Sequence, residues 1–409
     1  MFSKLRLSAG FVVVFGFFCG LQGSDLRFPH FAQGTSGTGF WVTEIVFQNV
    51  SNTTSSGVIY FRNDAGAPLF VSFEGGFGGT SLSYQLRGGE SAVLTSGGPG
   101  PLLTGWVEFD EVSGSGLTGV LTFTFYENIK PFWQSNLATT EVAVLPSPLS
   151  RSFVIPVDYH QSPILSPLPP ANTGIAIVNP LETVQPTAGP AVPSRLNIAL
   201  LLVDSSGSLV RSAKILDIGP FNHSAKFIHE FMAGLPPTFK GSLIIVAGNT
   251  LSTGAAESGD QAVLVGLKLK NGLFSSIPAN TSFFLPAVTP RTAETGADNN
   301  STAGAFPLTV LPSSVEGSIS VAGDRDFYAV NLNQNDLLVA HLENTGTHAT
   351  FAPELMIRNL TVALESFLPG EPIVFRAPAT GTFYLNVGDS GDNDGGPTAT
   401  YRLTVVRVQ

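Results

Sequence analysis

The chain has 409 residues, of which 44 are glycine and 29 are proline, and only 12% are charged while 43% are hydrophobic. This composition excludes a charge-driven disordered protein and a long coiled coil. The formal net charge of −10 comes from 20 basic and 30 acidic residues, and no segment is rich in Lys or Arg. Nucleic-acid binding, which needs a clustered basic surface, is therefore disfavoured.

The N-terminal segment has the pattern of a secretory signal peptide. Lys4 and Arg6 precede an apolar run from Phe11 to Leu21, which is too short to span a bilayer. We predict a signal peptide over 1–23 and a secreted or cell-surface-associated mature chain with no membrane span. A lipoprotein signal is the alternative, with Cys19, the only cysteine, as the acylated residue.

The rest of the chain reads almost wholly as β-strands. Residues alternate between apolar and polar along Leu121-Thr-Phe-Thr-Phe125, and Trp41, Ile45 and Phe47 lie on one face of an earlier run. A period of two is typical of half-buried strands in an antiparallel sheet. Glycine-rich turns such as Asn63-Asp-Ala-Gly66 separate the runs. Short strands between such turns predict β-sandwiches.

One segment breaks this alternation and predicts a short helix. Ala225, Ile228 and Met232 are three and four residues apart, which is the spacing of one helix face. Ser224 stands where an N-cap would be, and Gly234 closes the segment.

The chain also resembles itself, which predicts a degenerate tandem duplication. The alternative is a chance likeness between two Gly-rich β domains. The matched pairs are Ile45-Val-Phe-Gln-Asn49 with Ile175-Ala-Ile-Val-Asn179, Asn63-Asp-Ala-Gly66 with Asp204-Ser-Ser-Gly207, Gly105-Trp-Val-Glu-Phe109 with Gly241-Ser-Leu-Ile-Ile245, and Gly119-Val-Leu-Thr-Phe123 with Gly266-Leu-Lys-Leu-Lys270.

Proline-rich segments mark the predicted domain boundaries. Leu145-Pro-Ser-Pro148 ends the first copy, and Leu285-Pro286 begins a polar stretch after the second. The prediction is an all-β protein of three tandem antiparallel β-sandwiches over 25–148, 149–286 and 287–409, with one short helix in the second. The segments between them read as short linkers.

The third region resembles a known family. Its motifs are Gly323-Asp-Arg-Asp-Phe-Tyr328, Thr380-Gly-Thr-Phe-Tyr-Leu385 and the terminal Tyr401-Arg-Leu-Thr-Val405. In order and spacing they are similar to the bacterial pre-peptidase C-terminal (PPC) domain, a small β-sandwich that follows the catalytic domains of many secreted peptidases. The resemblance implies a sandwich fold and an extracellular setting. Residues 25–286 resemble no family.

Some members of that family bind calcium, and the resemblance implies the same site here. Carboxylate and amide oxygens are the hard donors that Ca²⁺ takes in proteins. The alternative is that these residues only form turns, as Asp and Asn commonly do. The implied metal ligands are Glu294, Asp298, Asn299, Asn300, Asp324 and Asp326.

No catalytic motif stands out in the sequence. None of the six histidines has a metal-binding spacing, and no Gly-x-Ser-x-Gly motif occurs. His223 and His229 are six residues apart, and surface positions are predicted for both. Glu108 and Asp110 are predicted on a solvated strand face and not as a glycosidase pair. We therefore predict no catalytic residues and no enzyme activity.

These observations predict a secreted, non-catalytic, multi-domain β-sandwich protein that binds, attaches or displays outside the cell. Its partner would be an extracellular protein or polysaccharide. Two alternatives stay open: a secreted peptidase or glycosidase with an unrecognised catalytic module, and a structural envelope or matrix component. Most aromatic side chains are expected in sandwich cores, and Phe132-Trp133 is the first pair to check for exposure.

Overall fold

The structure is a computed structural model, and the fold is all-β, as the sequence predicts. No helix among the described residues is both long and apolar enough to cross a membrane. The predicted signal peptide and the Phe132-Trp133 pair lie outside the described residues. Those residues are 25–37, 39–127, 137–161, 170–184, 190–249, 261–271, 273–281, 283–289, 291–292, 299–359, 363–367, 372–391 and 395–409.

The strands of the first group lie between residues 26 and 144. They are β1 (Leu26–Ser36), β2 (Gly39–Asn49), β3 (Ser55–Asn63), β4 (Val71–Phe73), β5 (Phe77–Gly79), β6 (Ser81–Leu86), β7 (Ser91–Thr95), β8 (Leu103–Ser113), β9 (Leu117–Glu127) and β10 (Leu137–Val144).

The second group lies between residues 152 and 277. Its elements are β11 (Ser152–His160), β12 (Ala171–Val178), β13 (Thr183–Val184), β14 (Val192–Pro193), β15 (Leu196–Asp204), β16 (Leu209–Ile218), β17 (His223–Phe227), α1 (Ile228–Phe231), β18 (Thr238–Asn249), β19 (Val263–Lys270) and β20 (Leu273–Ile277).

The third group follows. Its strands are β21 (Arg291–Thr292), β22 (Phe306–Pro307), β23 (Ser313–Ser318), β24 (Asp326–Leu332), β25 (Leu337–Asn344), β26 (Pro353–Arg358), β27 (Ala363–Phe367), β28 (Ile373–Arg376), β29 (Gly381–Asp389) and β30 (Thr400–Val408).

The first two groups share one strand topology. The order β10-β9-β2-β1-β8-β3-β6 in the first corresponds to β20-β19-β12-β11-β18-β15-β16 in the second. Each group also has one strand that pairs outside this order. In the first group β7 pairs with β2, and in the second β17 pairs with β12, the strand equivalent to β2. This agreement supports the proposal that 25–148 and 149–286 are copies of one module, and we refer to them as the first and second modules.

A buried asparagine recurs at the same place in both modules. Asn49 ends β2, Asn179 follows β12, and both are fully buried. The side-chain amide of Asn49 donates to the carbonyl of Leu86 at 3.1 Å, and that of Asn179 donates to the carbonyl of Ile218 at 2.9 Å. Leu86 and Ile218 end the equivalent strands β6 and β16. Buried side-chain amides are normally hydrogen-bonded, and both modules provide the bond in the same way.

Strand register corrects one predicted correspondence. Gly119 lies opposite Phe47, whereas Gly266 lies opposite Ile175, the counterpart of Ile45. The residue equivalent to Gly119 is Leu264, which lies opposite Ile177. The predicted match of Gly119 with Gly266 is therefore wrong by two residues. A shift of two residues leaves the same side chains facing the core, so the apolar pattern alone could not reveal the error in the match.

The helix prediction is correct in kind and wrong in extent. The helix α1 occupies only Ile228–Phe231, and Ser224, the predicted N-cap, lies in β17 opposite Ile177 of β12. The side chain of Glu230 instead accepts the backbone N–H of Phe227 at 2.7 Å. Since β11 pairs with β12 only at Ala171, the rest of β12 offers backbone partners to this segment, and tertiary pairing overrode the helical spacing.

The third group forms two five-stranded sheets that face each other. One has the order β21-β23-β30-β25-β28 and the other β22-β24-β29-β26-β27. Alternate residues of β24 and β29, such as Tyr328, Val330 and Leu385, fill the core between them. The pairing is antiparallel except at the two short first strands of the sheets. We call residues 299–409 the third domain.

The third domain packs its outer sheet face against the second module. Leu337, Val339 and Val406 form one buried apolar cluster with Leu201 and Ile244 of the second module. The approach is close: a Cβ added to Gly248 on β18 would lie 2.7 Å from the Cβ of Val374 on β28. The segment between the two units was predicted as a linker, and the structure brings them into direct contact.

Polar side chains border this apolar contact. Arg376 of the third domain makes two 2.8 Å hydrogen bonds to the carboxylate of Asp217 in the second module. Lys214 of the second module donates to the backbone carbonyl of Asn335 at 2.6 Å. Both bonds to Asp217 come from Nη1 of Arg376, while its Nε and Nη2 donate to Oδ1 of Asn335 in its own domain. Asn335 thus orients the guanidinium, and the charge-assisted bonds to Asp217 add to the contact between the third domain and the second module.

Candidate functional site

The two modules meet through a turn of the second. The turn over 219–222 corresponds to that over 87–90 in the first, because the amide of Asn222 bonds to Gly219 as that of Glu90 bonds to Arg87. Its Phe221 has a φ of 59°, whereas the equivalent Gly89 has a φ of 76°. A left-handed backbone costs a non-glycine residue about 1 kcal/mol, so an offsetting contact is expected at Phe221.

That contact is with the first module. The carbonyl of Phe221 accepts the indole N–H of Trp106 at 2.8 Å, and the guanidinium of Arg62 lies 3.6 Å from the centre of the Phe221 ring. Trp106 is completely buried and packs with Val178 and Val263 of the second module. A cation–π contact and a buried indole together stabilise the junction.

A charged cluster lies beside this turn. Nδ1 of His223, at the start of β17, is 2.8 Å from Oδ1 of Asp64 in the first module. The other carboxylate oxygen of Asp64 accepts the hydroxyl of Thr104 at 2.8 Å. The hydrogen bond with His223 holds the pKa of Asp64 below its ordinary value. Asp64 is therefore an ionised carboxylate whose position depends on the second module.

A second histidine faces the first. His30 of β1 lies with its ring centre 5.5 Å from that of His223, at an interplanar angle of 32°. Burial, with a smaller effect from His223, lowers the pKa of His30 to about 3. The side chain of His223 is 1% exposed, so its predicted surface position is wrong. Docking of the second module on the first buries His223, and the local sequence carries no signal of that contact.

An open groove of about 350 Å³ runs beside Asp64 on the first module. Leu69, Leu102 and Leu103 form its apolar side, and Asn63 and Thr104 join Asp64 on its polar side. Leu102 is 47% exposed. The groove is shallow, and it combines apolar area with a few fixed polar groups, which is a combination found in binding sites. No local sequence pattern marks this groove, because its walls come from the ends of separate strands.

The residues proposed for calcium lie in the third domain. Glu294 and Asp298 fall outside the described residues. The carboxylate of Asp324 accepts the backbone N–H and hydroxyl of Ser320, at 2.7 and 2.6 Å, and the backbone N–H of Arg325 at 3.0 Å. With its amide oriented by hydrogen bonding, Asn300 also donates to Asp324 at 2.8 Å. Asp324 therefore closes its own turn.

Asn299 and Asp326 are the more deeply buried members of this set. Asp326 is fully buried, and its Oδ2 accepts the hydroxyl of Tyr401 at 2.5 Å. Asn299 is 5% exposed, and neither atom of its side-chain amide has a hydrogen-bond partner. A buried amide without a partner is costly, and Asn299 Oδ1 is a hard oxygen of the kind that Ca²⁺ takes.

The acidic residues near the end of β8 have different surroundings. The solvated position predicted for Glu108 is wrong, because its side chain is only 12% exposed and pairs with Arg27 at 2.9 Å. Burial raises the pKa of Glu108. Asp110 is exposed, while Glu111 is buried and accepts the hydroxyl of Ser55 at 2.6 Å. Within the part of the chain that the structure describes, no three or more His, Cys, Asp or Glu side chains are grouped to hold a metal ion.

Comparisons with known proteins add no family to this picture. No family model matches the chain, and no curated protein is significantly similar to it. The function is therefore inferred from the fold and the site geometry.

Proposed function

We propose that this chain is a secreted, non-catalytic β-sandwich protein that binds an extracellular protein or polysaccharide through the groove beside Asp64. The observation that supports this role is the groove itself, where exposed Leu102 lies next to an ionised carboxylate. Thr104 and His223 hold that carboxylate in place. A binding surface on a rigid scaffold loses little conformational entropy when a partner docks.

The modules supply that scaffold. The groove lies on the first module, its carboxylate is held from the second, and the third domain is fixed to the second by its apolar face and by Arg376. We propose that this arrangement presents the groove at one end of an attachment or display protein, with the PPC-like domain at the other.

The binding role is tested by changing the apolar side of the groove. Leu102→Asp places a second negative charge beside Asp64, and we expect retention on the partner to fall at least about tenfold, the effect of roughly 1.4 kcal/mol. The probes are insoluble chitin, cellulose and peptidoglycan for polysaccharides, and immobilised collagen for proteins. The measurement is the fraction of purified chain retained on each.

The matched control is Val112→Asp, since Val112 is 70% exposed and does not line the groove. It should be retained like the unmodified chain. Equal retention of both variants would exclude the groove as the binding surface. Failure of every probe to retain the unmodified chain would count against a polysaccharide or matrix-protein partner.

We also propose a calcium ion at the start of the third domain, with Asn299 and Asp326 as its most buried ligands. An ion there would give the Asn299 amide oxygen the partner that it otherwise lacks. Calcium would supply charge compensation for the buried carboxylate of Asp326, whose position Tyr401 fixes from the side. The role proposed for this ion is structural.

Thermal unfolding with excess CaCl₂ and with EDTA tests this site. Binding to the folded state alone, at an ion concentration of about 100 times Kd, adds about 2.7 kcal/mol, so calcium should raise the unfolding temperature by several degrees. Asp326→Asn and Asn299→Ala should each reduce the difference between the two conditions, while exposed Asp110→Asn should leave it unchanged. A chain that unfolds at the same temperature in both solutions binds no calcium.

A further inference from the structure

The junction between the modules contains two imidazole nitrogens without hydrogen-bond partners. Nδ1 of His30 and Nε2 of His223 are both buried, and neither has a partner. They belong to rings whose centres are 5.5 Å apart, contributed by different modules. A buried polar atom without a partner is costly and needs a physical explanation.

We propose that His30 and His223 bind one divalent transition-metal ion of the zinc class at the junction of the two modules. This site is separate from the proposed calcium site, and it adjoins the proposed binding groove through Asp64, which lines the groove and bonds to His223. Imidazole nitrogen suits zinc, nickel and copper, whereas calcium and magnesium take oxygen ligands. The class of ion follows from the two donor atoms.

The spacing of the rings agrees with coordination to one ion. Zinc–nitrogen bonds of about 2.0–2.1 Å at a tetrahedral angle place the centres of two imidazole rings roughly 5 Å apart. The observed separation is 5.5 Å, so the two rings are close enough for one ion to bind both once their free nitrogens turn towards it. Two protein ligands leave the remaining positions of a tetrahedral ion for water.

Asp64 supplies the outer partner that metal-binding histidines usually have. A histidine that ligates a metal through one nitrogen generally donates its other N–H to a carboxylate or a carbonyl. Nδ1 of His223 is 2.8 Å from Asp64, and Thr104 holds the same carboxylate. This arrangement leaves the lone pair of His223 on Nε2, which is the atom without a partner.

The local charges also favour a cation. Metal ligation needs neutral imidazole, and burial keeps His30 neutral by lowering its pKa. The negative charge of Asp64 lies one ring away and offsets part of the ion's charge. Asp64 is 58% exposed at its side chain, so the cluster lies close to solvent.

The test uses the whole purified chain, first treated with EDTA and dialysed. Titration with ZnCl₂ should raise the unfolding temperature by at least about 2 °C, with a stoichiometry of one by calorimetry after subtraction of weaker sites. His30→Gln and His223→Gln should each abolish this response. His160→Gln is the control, because His160 is 40% exposed at its side chain, and it should respond like the unmodified chain.

A further variant keeps the test valid if either glutamine substitution prevents folding. Asp64→Asn retains both rings and should weaken zinc binding about 10–100-fold. Replacing ZnCl₂ by CoCl₂ gives a visible absorption band when nitrogen ligands bind the ion. The proposal is overturned if the unmodified chain shows no response to either ion. It is also overturned if zinc affinity is the same in the unmodified chain and in every folded variant of His30, His223 and Asp64.

Discussion

Trp106→Ala is expected to lower the free energy of unfolding by about 3–5 kcal/mol, the range for removing a large buried aromatic side chain. Trp106 is completely buried, and its neighbours Val178, Val263 and Phe221 all belong to the second module. The substitution would leave a cavity at the junction and an unpaired carbonyl on Phe221. Urea unfolding followed by circular dichroism measures the change.

Two further variants separate packing from hydrogen bonding. Trp106→Phe keeps most of the ring area but removes the indole N–H that bonds to Phe221, and a cost of about 1–3 kcal/mol is expected for the unsatisfied carbonyl. Phe70→Ala changes an aromatic residue that is 60% exposed and should alter stability by no more than about 0.5 kcal/mol. If Trp106→Ala were as mild as Phe70→Ala, the modules would not be docked as described.

Val339→Asp is the second substitution with a large expected effect. Val339 is fully buried among residues of the second module and lies outside the core of the third domain. An unpaired carboxylate there costs several kcal/mol, so the third domain should separate from the second module while its own sandwich stays folded. Calorimetry should then show an additional, lower-temperature transition, and limited proteolysis should release the third domain from the second module.

The control for this substitution is Val310→Asp in the same domain, since Val310 is 59% exposed. It should leave the unfolding profile and the proteolytic pattern unchanged. A Val339→Asp chain that behaves like Val310→Asp would show that the apolar contact does not hold the third domain in place.

The strands were predictable because each one carries its own signal. The alternation along Leu121-Thr-Phe-Thr-Phe125 became β9, and Tyr328, Val330 and Leu332 became the buried face of β24. The period of two reflects which side of a sheet is buried, so no knowledge of the partner strand is needed. The all-β class follows from such local patterns.

The strand register and the extent of the helix were harder to predict, because both depend on partners that are distant in sequence. The match of Gly119 with Gly266 kept strand face but missed the pairing of Gly266 with Ile175. Similarly, Ser224 lies in a strand because β12 pairs with it. The local spacing of apolar residues predicts secondary structure poorly where a distant strand offers unpaired backbone groups.

The candidate sites were even harder to predict from local sequence. His30 and His223 are 193 residues apart in sequence and meet only because one module docks on the other. Sequence motifs for metal sites rely on ligands that are a few residues apart, so they do not detect such a pair. Phe221 gives a partial signal in retrospect, because a phenylalanine replaces the glycine of the equivalent turn at a left-handed backbone position. Detecting it requires the alignment of the two modules.

Hydrogen–deuterium exchange of these two equivalent turns reports whether the two modules dock. The turn over 87–90 of the first module is largely exposed, whereas that over 219–222 packs on Trp106 and precedes His223, whose amide donates to Asp64 at 3.0 Å. We predict much slower exchange over 219–223 than over 87–91, with Phe221→Ala abolishing the difference. Equally fast exchange in both turns would show that the modules do not dock, and the sites at their junction would not exist.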